Sequence, residues 1–553
     1  MYKNKFEDWL SNVDESTKRE LNQLNDKEIE ERFFTDIKFG TAGIRGIMEA
    51  GTNRINKYVI KKVSSGLANI INTTNNKSIV IGYDNRHLSK EFAENTALVF
   101  AAKGLKTYLF ESVSPTPLVS YAIREMGTQA GVMITASHNP KEYNGYKVYW
   151  EDGAQVSSSI AQSIENEINE IEIFEVESLE NIDLALSEGL VEYVPVSIIN
   201  SYVDSVLDLQ MSTDVNKDIK IVYTPLGGVG NKLVTRVLKE AKYTDVRVVE
   251  AQSEPDPNFS NVESPNPEDR VAFELAEWLG KGINADILIA TDPDVDRVGV
   301  MVKHNGEYVF LSGNTLSSLM VNYILSQTDV DELKDKIITT IVTDNLGEKI
   351  ASKYGIEILK THVGFKNIYS IVEGWTDNEN LLIGYEESLG IGIGSGIARD
   401  KDAISASLIV AEMAAYYKKR NKSLIDIYNE LEKEYGYHRE DLLSIELSGI
   451  SGQRKIELVV NEFRLGEISE IAGGSLKSKV DYLNDKTNLE KMNVLEFEYD
   501  NGIRFLMRPS GTEPKLKIYI YSSSRSKRES LLNLKETSKL LEDRIEQIIS
   551  LET

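Results

Sequence analysis

Residues 130–140 read AGVMITASHNP, an apolar run that ends in small polar residues and a proline. Residues 285–297 read ADILIATDPDVDR and repeat this form with a different polar ending. A short apolar run bounded by turn-forming residues is typical of a buried strand. Helix-like stretches lie between such runs, and this alternation predicts an α/β fold with a parallel or mixed sheet.

The alternation extends over most of the chain. Strands are predicted at 78–84, 106–112, 130–137, 219–225, 246–251, 285–291, 336–343, 356–360 and 381–385. Helices are predicted at 89–103, 116–126, 228–241, 268–280 and 402–419. We therefore expect three related α/β modules with mixed sheets, in series along the chain.

The two ends of the chain follow other patterns. In residues 1–38, apolar residues recur at helical spacing among charges, which predicts a helical extension packed on the body. Near the other end, three short strands and a long helix (526–550) predict a smaller α+β domain. The expected domains are 39–205, 206–310 and 311–435 for the α/β modules and 436–553 for the α+β domain.

Composition narrows the range of partners. The chain has 553 residues, with 62 Lys and Arg against 87 Asp and Glu, a formal net charge of −25. This charge argues against nucleic-acid and membrane-surface partners, but a basic pocket can still bind a small anion. The absence of cysteine excludes disulfides, zinc–thiolate sites and thiol nucleophiles. No long apolar segment or signal peptide is present, so a cytoplasmic location is expected. The sequence does not indicate an oligomeric state.

In α/β modules, ligands gather beyond the carboxyl ends of strands. Ser137 lies at such a strand exit, where it is either a nucleophile or part of an ordinary polar turn. A Ser–His acyl-transfer pair is disfavoured because no G-x-S-x-G sequence is present. Downstream, the sequence 144–147 (NGYK) can turn back and bring Lys147 near Ser137.

Three aspartates alternate directly after another predicted strand. Asp292, Asp294 and Asp296 can converge on one hard divalent cation, and Mg²⁺ suits such an oxygen site. Arg297 takes the place of the turn glycine of an EF-hand, so the loop is not an EF-hand. The alternative is a solvated run of charges. A metal here would leave a position open for a phosphoryl oxygen.

Further loops carry groups suited to sugars and phosphates. Glu386 and Ser388 (in GYEES, 384–388) can hydrogen-bond sugar hydroxyls, or form a surface turn. The sequence 508–515, RPSGTEPK, combines an arginine fork with hydroxyls and close backbone donors, or forms a plain hairpin. The sequence 39–46, FGTAGIRG, offers Arg45 to an anion, and no strand is predicted before it.

Together these loops resemble the α-D-phosphohexomutase family, in its phosphoglucomutase/phosphomannomutase branch. The segments that carry the resemblance occur in the family's order: GTAGIRG, TASHNP with NGYK, DPDVDR, GYEES and RPSGTEPK. They extend from Gly40 to Lys515. The resemblance implies a heart-shaped architecture of four domains, three related α/β modules and a smaller α+β domain.

The resemblance also implies roles for individual residues. Ser137 would be a phosphoserine, Lys147 the general acid/base and His138 a further catalytic residue. The Mg²⁺ ligands would be Ser137, Asp292, Asp294 and Asp296. The substrate-binding residues would be Arg45, Arg297, Gly364, Lys366, Glu386, Ser388, Lys401, Arg508, Ser510, Gly511 and Thr512. Lys147 could act as a base only if nearby cations lower its pKa.

The implied reaction interconverts glucose 1-phosphate and glucose 6-phosphate, with hexose 1,6-bisphosphate as intermediate and glucose 1,6-bisphosphate as activator. Mannose phosphate and a pentose phosphate are alternative substrates, because Tyr385 and Ala403 stand where glycine is common in the family. Two rival functions remain open at this point. One is a Mg²⁺-dependent phosphatase with an aspartyl nucleophile, and the other is a non-catalytic sugar-phosphate sensor.

Overall fold

The computed structural model describes residues 2–376, 378–447, 449–466, 468–510 and 514–550, without the side chains of 449 and 450. The α-helices are α1 (Tyr2–Asn12), α2 (Glu15–Leu21), α3 (Asp26–Phe33), α4 (Lys57–Asn72), α5 (Ser89–Ala102), α6 (Thr116–Met126), α7 (Ser158–Asn169), α8 (Ile182–Ser187), α9 (Val196–Leu207), α10 (Asn231–Glu240), α11 (Glu274–Ile283), α12 (Gly313–Gln327), α13 (Leu346–Lys353), α14 (Phe365–Glu373), α15 (Ala403–Lys418), α16 (Leu424–Tyr435), α17 (Gly449–Leu465) and α18 (Lys527–Ser550). Within these ranges, none of the helices is both long enough and apolar enough to cross a membrane.

The strands follow in chain order. They are β1 (Gly43–Ile47), β2 (Ser78–Tyr83), β3 (Lys106–Leu109), β4 (Ala130–Ile134), β5 (Tyr143–Trp150), β6 (Val191–Tyr193), β7 (Lys220–Thr224), β8 (Asp245–Val248), β9 (Ile287–Thr291), β10 (Val298–His304), β11 (Glu307–Leu311), β12 (Asp335–Thr340), β13 (Ile358–Thr361), β14 (Asn380–Tyr385), β15 (Ile391–Ile393), β16 (Tyr437–Glu446), β17 (Glu470–Ile471), β18 (Gly474–Asp481), β19 (Leu495–Tyr499), β20 (Ile503–Pro509) and β21 (Lys515–Ser524). The predicted strands are all present, with ends shifted by a few residues.

The chain forms two compact units. The first contains Met1–Ile337 and Phe365–Ser423, and the second contains Ile338–Gly364 and Leu424–Thr553.

The first sheet of the first unit has the strand order β1-β5-β4-β2-β3-β6. Strand β2 is parallel to β3 and β4, whereas β5 is antiparallel to β1 and β4, so the sheet is mixed. Its apolar residues pack against helices α4 and α5 in one continuous core. The register pairs Met133 of β4 with Lys147 of β5, which brings Lys147 beside the strand that leads to Ser137.

The second sheet of this unit has the order β11-β10-β9-β7-β8. Strand β9 is parallel to β7 and antiparallel to β10. Every residue of β9 is buried, as expected for a strand covered on both faces. The chain leaves β9 at Thr291, directly before the three aspartates. Farther along the chain, β14 pairs antiparallel with β15 and places Glu386 at a turn.

The second unit contains an antiparallel sheet with the order β16-β21-β20-β19-β18-β17. Phe497 and Phe505 stack on adjacent strands, with ring centroids 4.6 Å apart. Leu534, Leu541 and Ile545 of α18 are buried in the same core. This α+β arrangement agrees with the prediction for the end of the chain.

Two local details differ from the predictions or add to them. The predicted helical extension consists of three helices, α1, α2 and α3, because the side chains of Asp14 and Asn25 cap new helix starts. Trp9 is nevertheless buried against Tyr58 of α4, so the extension packs on the body.

The second difference is strand β1, which lies within the glycine-rich sequence where no strand is predicted. Gly43 approaches β5 so closely that a Cβ there would lie 1.9 Å from the Tyr146 carbonyl oxygen. Glycine is required for this approach, and it removes the apolar alternation by which a strand is recognised.

Candidate active site

Ser137 lies three residues beyond the end of β4 and is 3% exposed. Its φ is +53°, a left-handed conformation that is uncommon for a residue with a side chain. The Ser137 N–H donates to Thr135 Oγ1 at 2.9 Å, and the Ser137 hydroxyl donates to Asp292 Oδ2 at 2.9 Å. The candidate nucleophile is therefore joined directly to the aspartate loop.

Asp292, Asp294 and Asp296 form one buried acidic cluster, with ligand oxygens within 4.8 Å of one another. Val295 has a φ of +63°, and the turn at this residue brings Asp294 and Asp296 together. Asp292 Oδ1 accepts the N–H groups of Asp296 and Arg297, both at 2.9 Å.

Two buried oxygens of this cluster, Asp294 Oδ1 and Asp296 Oδ1, accept no hydrogen bond from the residues that the structure describes. Burying an ionised carboxylate oxygen without a partner is costly, whereas a hard dication binds such oxygens favourably. The donor set therefore fits Mg²⁺.

Three cationic side chains surround the aspartates. Lys147 Nζ lies 2.8 Å from Asp294 Oδ2 and 3.3 Å from Asp296 Oδ2. Lys401 Nζ lies 3.1 Å from Asp296 Oδ2, and Arg297 Nε lies 3.9 Å from Asp296 Oδ1. An anionic phosphoryl group at this place would meet positive charge from three segments of the chain.

The three carboxyls differ in acidity. Burial, together with the charges of Asp296 and Asp294, raises the pKa of Asp292 well above its ordinary value. Burial also opposes ionisation of Asp294 and Asp296, but Lys147 lowers the pKa of Asp294, and Lys401 and Lys147 lower that of Asp296. The negative charge of the cluster is thus concentrated on Asp294 and Asp296.

The pKa of Lys147 is shifted upwards. Burial lowers its pKa, but the carboxylates of Asp294 and Asp296 outweigh burial, and the pKa is raised. The charge of Lys401 also lowers the pKa of Lys147, but its effect is smaller than that of the two carboxylates. The condition expected for a basic Lys147, a pKa lowered by cations, is therefore not met while these carboxylates carry no other counterion.

The loop after β14 lies against the aspartate loop. The Val298 N–H donates to the Leu389 carbonyl at 3.2 Å, and the Glu386 N–H donates to the Gly390 carbonyl at 2.9 Å. A Cβ on Gly390 would lie 2.4 Å from Lys401 Cδ and 3.1 Å from Glu386 Oε2. Because residue 390 is a glycine, the side chains of Glu386 and Lys401 can both lie against it. Ser388 lies in the turn between Glu386 and Gly390.

Of the other predicted residues of this unit, Arg45 and His138 contact the Ser137 loop, and Lys366 contacts the glycine-rich loop 39–46. Arg45 Nη1 donates to Asn139 Oδ1 at 2.9 Å, and Lys366 Nζ donates to the Thr41 carbonyl at 3.1 Å. His138 Nδ1 lies 3.2 Å from Ser137 Oγ. Burial, followed by the charges of Arg297 and Arg45, lowers the pKa of His138 to about 2, so its imidazole is neutral near pH 7.

Some predicted residues lie in the second unit. Gly364 has a φ of +115°. Arg508 of β20 lies opposite Lys517 of β21 in the backbone register of the sheet. The Ser510 N–H donates to the Lys515 carbonyl at 2.8 Å. Gly511 and Thr512 lie outside the described residues. The substrate-binding role of this group stays a prediction.

Several residues that shape the site were missed by the sequence analysis. Thr116 Oγ1 donates to Asp294 Oδ2 at 2.8 Å, Glu268 pairs with Arg297, and Asp400 accepts from Tyr149 at 2.7 Å. Thr116 and Glu268 have ordinary sequence surroundings, and only the fold brings them to the aspartates. Asp400 could have been identified from the sequence, because it directly precedes Lys401, which the resemblance already implied as a substrate-binding residue.

Arg86 was also missed, although a signal was present. Asp84 and Arg86 follow strand β2 directly, as Ser137 follows β4 and Asp292 follows β9. The Arg86 guanidinium donates to the carbonyl oxygens of Ser137 and Pro140. The same rule about strand exits would have identified it.

Models of the phosphoglucomutase/phosphomannomutase family match the chain in four places. The alpha/beta/alpha domains I, II and III match residues 36–174, 200–306 and 312–435, and the C-terminal domain matches residues 474–533. A phosphoglucomutase from Staphylococcus haemolyticus (strain JCSC1435) is 38% identical over 511 residues, which cover 89% of this chain and 91% of that protein.

Solved structures show the same fold. The phosphoprotein parafusin, a phosphoglucomutase from Paramecium, superposes in its open form with a TM-score of 0.71 at 19% identity, covering 93% of this chain and 96% of that one. N-acetylphosphoglucosamine mutase from Aspergillus fumigatus, in complex with GlcNAc-6P and magnesium, has a TM-score of 0.51 at 13% identity, covering 97% and 99%. The predicted fold class, three mixed-sheet α/β domains and an α+β domain, is confirmed. The chain belongs to the phosphoglucomutase/phosphomannomutase family, and it is an enzyme of the phosphohexomutase type.

Proposed function

We propose that this enzyme is a phosphoglucomutase that interconverts glucose 1-phosphate and glucose 6-phosphate through a phosphorylated Ser137. The name of the Staphylococcus haemolyticus relative supports glucose as the sugar. The observation that carries the chemistry is the 2.9 Å hydrogen bond from the Ser137 hydroxyl to Asp292. It joins a candidate phosphoryl carrier to a cluster of carboxylates that fits a dication.

Asp292, Asp294 and Asp296 would hold Mg²⁺ together with an oxygen of phosphorylated Ser137. The magnesium complex of the Aspergillus fumigatus enzyme supports this choice of ion. When bound, Mg²⁺ supplies charge neutralisation to the oxygens of the phosphoryl group. Arg297 and Lys401 lie beside the same carboxylates and add positive charge.

In the first half-reaction, a sugar hydroxyl attacks the phosphorus on Ser137. The new P–O bond to the sugar forms as the bond from phosphorus to Ser137 Oγ breaks, and the net change exchanges the proton of the sugar hydroxyl for the phosphoryl group. Lys147 would take and return that proton. It must first be deprotonated, and the carboxylate charge that now raises its pKa is the charge a bound metal would offset.

The product of this step is a hexose 1,6-bisphosphate, which turns end for end and returns its other phosphate to Ser137. Glu386 and Ser388 would therefore bind the sugar hydroxyls in two orientations. The non-reacting phosphate would be held by Arg508, Ser510, Gly511 and Thr512, and Arg45, Gly364 and Lys366 would contribute further donors. Added glucose 1,6-bisphosphate would act as an activator because it phosphorylates any enzyme that has lost its phosphate.

The geometry disfavours the phosphatase alternative, in which Asp292 is the nucleophile. Asp292 Oδ1 accepts two backbone N–H groups, and Oδ2 accepts the Ser137 hydroxyl. Both oxygens are therefore occupied by hydrogen bonds.

A substrate panel tests the proposed reaction. The purified enzyme is incubated with Mg²⁺, glucose 1,6-bisphosphate and the 1-phosphates of glucose, mannose, glucosamine and ribose. We expect the highest kcat/KM with glucose 1-phosphate and no net release of phosphate. Steady phosphate release without an isomerised sugar would contradict the mutase assignment, and a higher kcat/KM with mannose or ribose 1-phosphate would correct the sugar.

The Arg508 loop is tested by Arg508→Ala. A charge-assisted hydrogen bond contributes roughly 1.5–3 kcal/mol, so KM for glucose 1-phosphate should rise about 10- to 150-fold. Arg525→Ala is the control, since Arg525 lies in the same unit and donates to the Glu434 carbonyl. An unchanged KM in Arg508→Ala, measured by initial rates, would remove this residue from the phosphate site.

A further inference from the structure

The surroundings of Arg86 are unusual for a buried arginine. Its side chain is fully buried, and its guanidinium donates to four carbonyl oxygens of the Ser137 loop. Nη1 donates to Pro140 at 2.9 Å and to Tyr143 at 3.1 Å, and Nη2 donates to Asn139 at 2.7 Å and to Ser137. These carbonyls include that of Ser137 itself and three that follow it in the chain.

The guanidinium is itself held from other sides. Asp84 forms a buried ion pair with Arg86 Nε at 3.3 Å, and this carboxylate accepts the Arg86 N–H at 2.9 Å and the Ser89 hydroxyl at 2.7 Å. The ring of Phe259 lies 5.2 Å from the guanidinium carbon. A planar guanidinium has five N–H donors in fixed directions and can therefore donate to four carbonyls at once. A lysine ammonium has only three donors and cannot do so.

This anchoring explains how Ser137 keeps its conformation. A left-handed φ costs about 1–2 kcal/mol for a residue with a side chain, and it persists only where the surroundings over-determine it. Thr135 Oγ1 fixes the peptide N–H of Ser137, and Arg86 fixes its carbonyl. With both flanking peptide groups fixed, Oγ is directed at Asp292.

We propose that Arg86 is a positioning residue for phosphoryl transfer, which acts by holding the Ser137 main chain in the left-handed conformation that presents Oγ to the aspartate cluster. The inference rests on the proposed function, in which Ser137 carries the phosphoryl group. The Arg86 guanidinium donates to main-chain carbonyls and not to substrate. Its replacement should therefore lower kcat and leave KM unchanged. Displacing a reacting atom by about 1 Å can cost roughly 100-fold in rate.

Arg86→Lys is the variant of choice, because it keeps the charge and removes the fork. We expect kcat for glucose 1-phosphate to fall about 100-fold, KM to stay within about twofold, and phosphorylation of Ser137 by glucose 1,6-bisphosphate, followed by intact mass, to slow by a similar factor. Arg54→Lys is the matched control. Arg54 is also a buried arginine of this unit, and its partners are Glu49, Glu31 and the Asn53 carbonyl. The Arg54→Lys variant should keep the wild-type kcat even if its melting temperature falls.

A wild-type kcat in Arg86→Lys would overturn the inference, as would an equal fall in Arg54→Lys or a loss expressed in KM. If Arg86→Lys does not fold, Asp84→Asn replaces it, since this change keeps the guanidinium and removes its charged anchor. A smaller fall confined to kcat is then expected, and an unchanged kcat would overturn the inference. The proposed function fails separately, if Ser137→Ala is active or wild-type Ser137 never carries phosphate.

Discussion

Ser137→Ala should lose at least about 10⁴-fold in kcat, because removing a covalent nucleophile commonly costs this much or more. The hydroxyl is the group that would carry the phosphoryl group, and no other hydroxyl among the described residues donates to Asp292. The wild-type protein should show a partial mass adduct of one phosphoryl group after incubation with glucose 1,6-bisphosphate. The variant should show none.

Ser407→Ala is the control for this substitution. Ser407 is fully buried and its hydroxyl donates to the Ala403 carbonyl within helix α15, so its loss leaves the aspartate cluster untouched. We expect near-wild-type kcat and an intact phosphoryl adduct. An active Ser137→Ala enzyme would refute the phosphoserine. A phosphoryl adduct that persists in Ser137→Ala would show that another residue carries the phosphoryl group.

Asp294→Asn is the second large effect that we expect. The amide keeps the size of the side chain and its bond with the Thr116 hydroxyl, but it removes one negative charge from the cluster. A hard dication depends on carboxylate charge, so calorimetric Mg²⁺ affinity should fall at least about 10-fold. Activity at fixed Mg²⁺ should fall by roughly 10³-fold, because charge neutralisation of the phosphoryl group is weakened as well.

Calorimetry separates this prediction from a general loss of structure. Asp286→Asn is the control, because Asp286 pairs with Lys418 on the surface and accepts the Lys220 N–H. It should bind Mg²⁺ as the wild type does. Unchanged Mg²⁺ affinity in Asp294→Asn would show that the three aspartates are not the metal site, even if the variant lost activity through Lys147.

The strand exits were the part of the site that the sequence could reveal. Apolar runs such as 130–134 and 287–291 are buried strands of two different sheets, and in α/β folds the residues that bind ligands lie beyond the carboxyl ends of such strands. Ser137 and Asp292 were found in this way, although one is 155 residues from the other.

What the sequence could not reveal depends on tertiary contacts. Strand β5 mixes Asn144, Gly145 and Lys147 with aromatic residues, and its central position between β1 and β4 defines it as a strand. The acidity of Lys147 is a similar case, because it is set by carboxylates that approach only in the folded chain. The predicted domain boundaries, the cytoplasmic location and the roles of the 508–512 loop stay predictions.

The long sequence separation between Ser137 and Asp292 has a consequence for synthesis of the enzyme. The two residues are 155 positions apart and form the 2.9 Å bond that joins nucleophile to cluster. At about 5–20 residues per second, the ribosome releases Asp292 roughly 8–30 s after Ser137. The first α/β domain can fold in that interval, yet its serine still lacks the aspartate cluster. A nascent chain therefore emerges catalytically silent, and activity should appear only after the later segments that carry Asp292, Lys401 and Arg508 have left the ribosome.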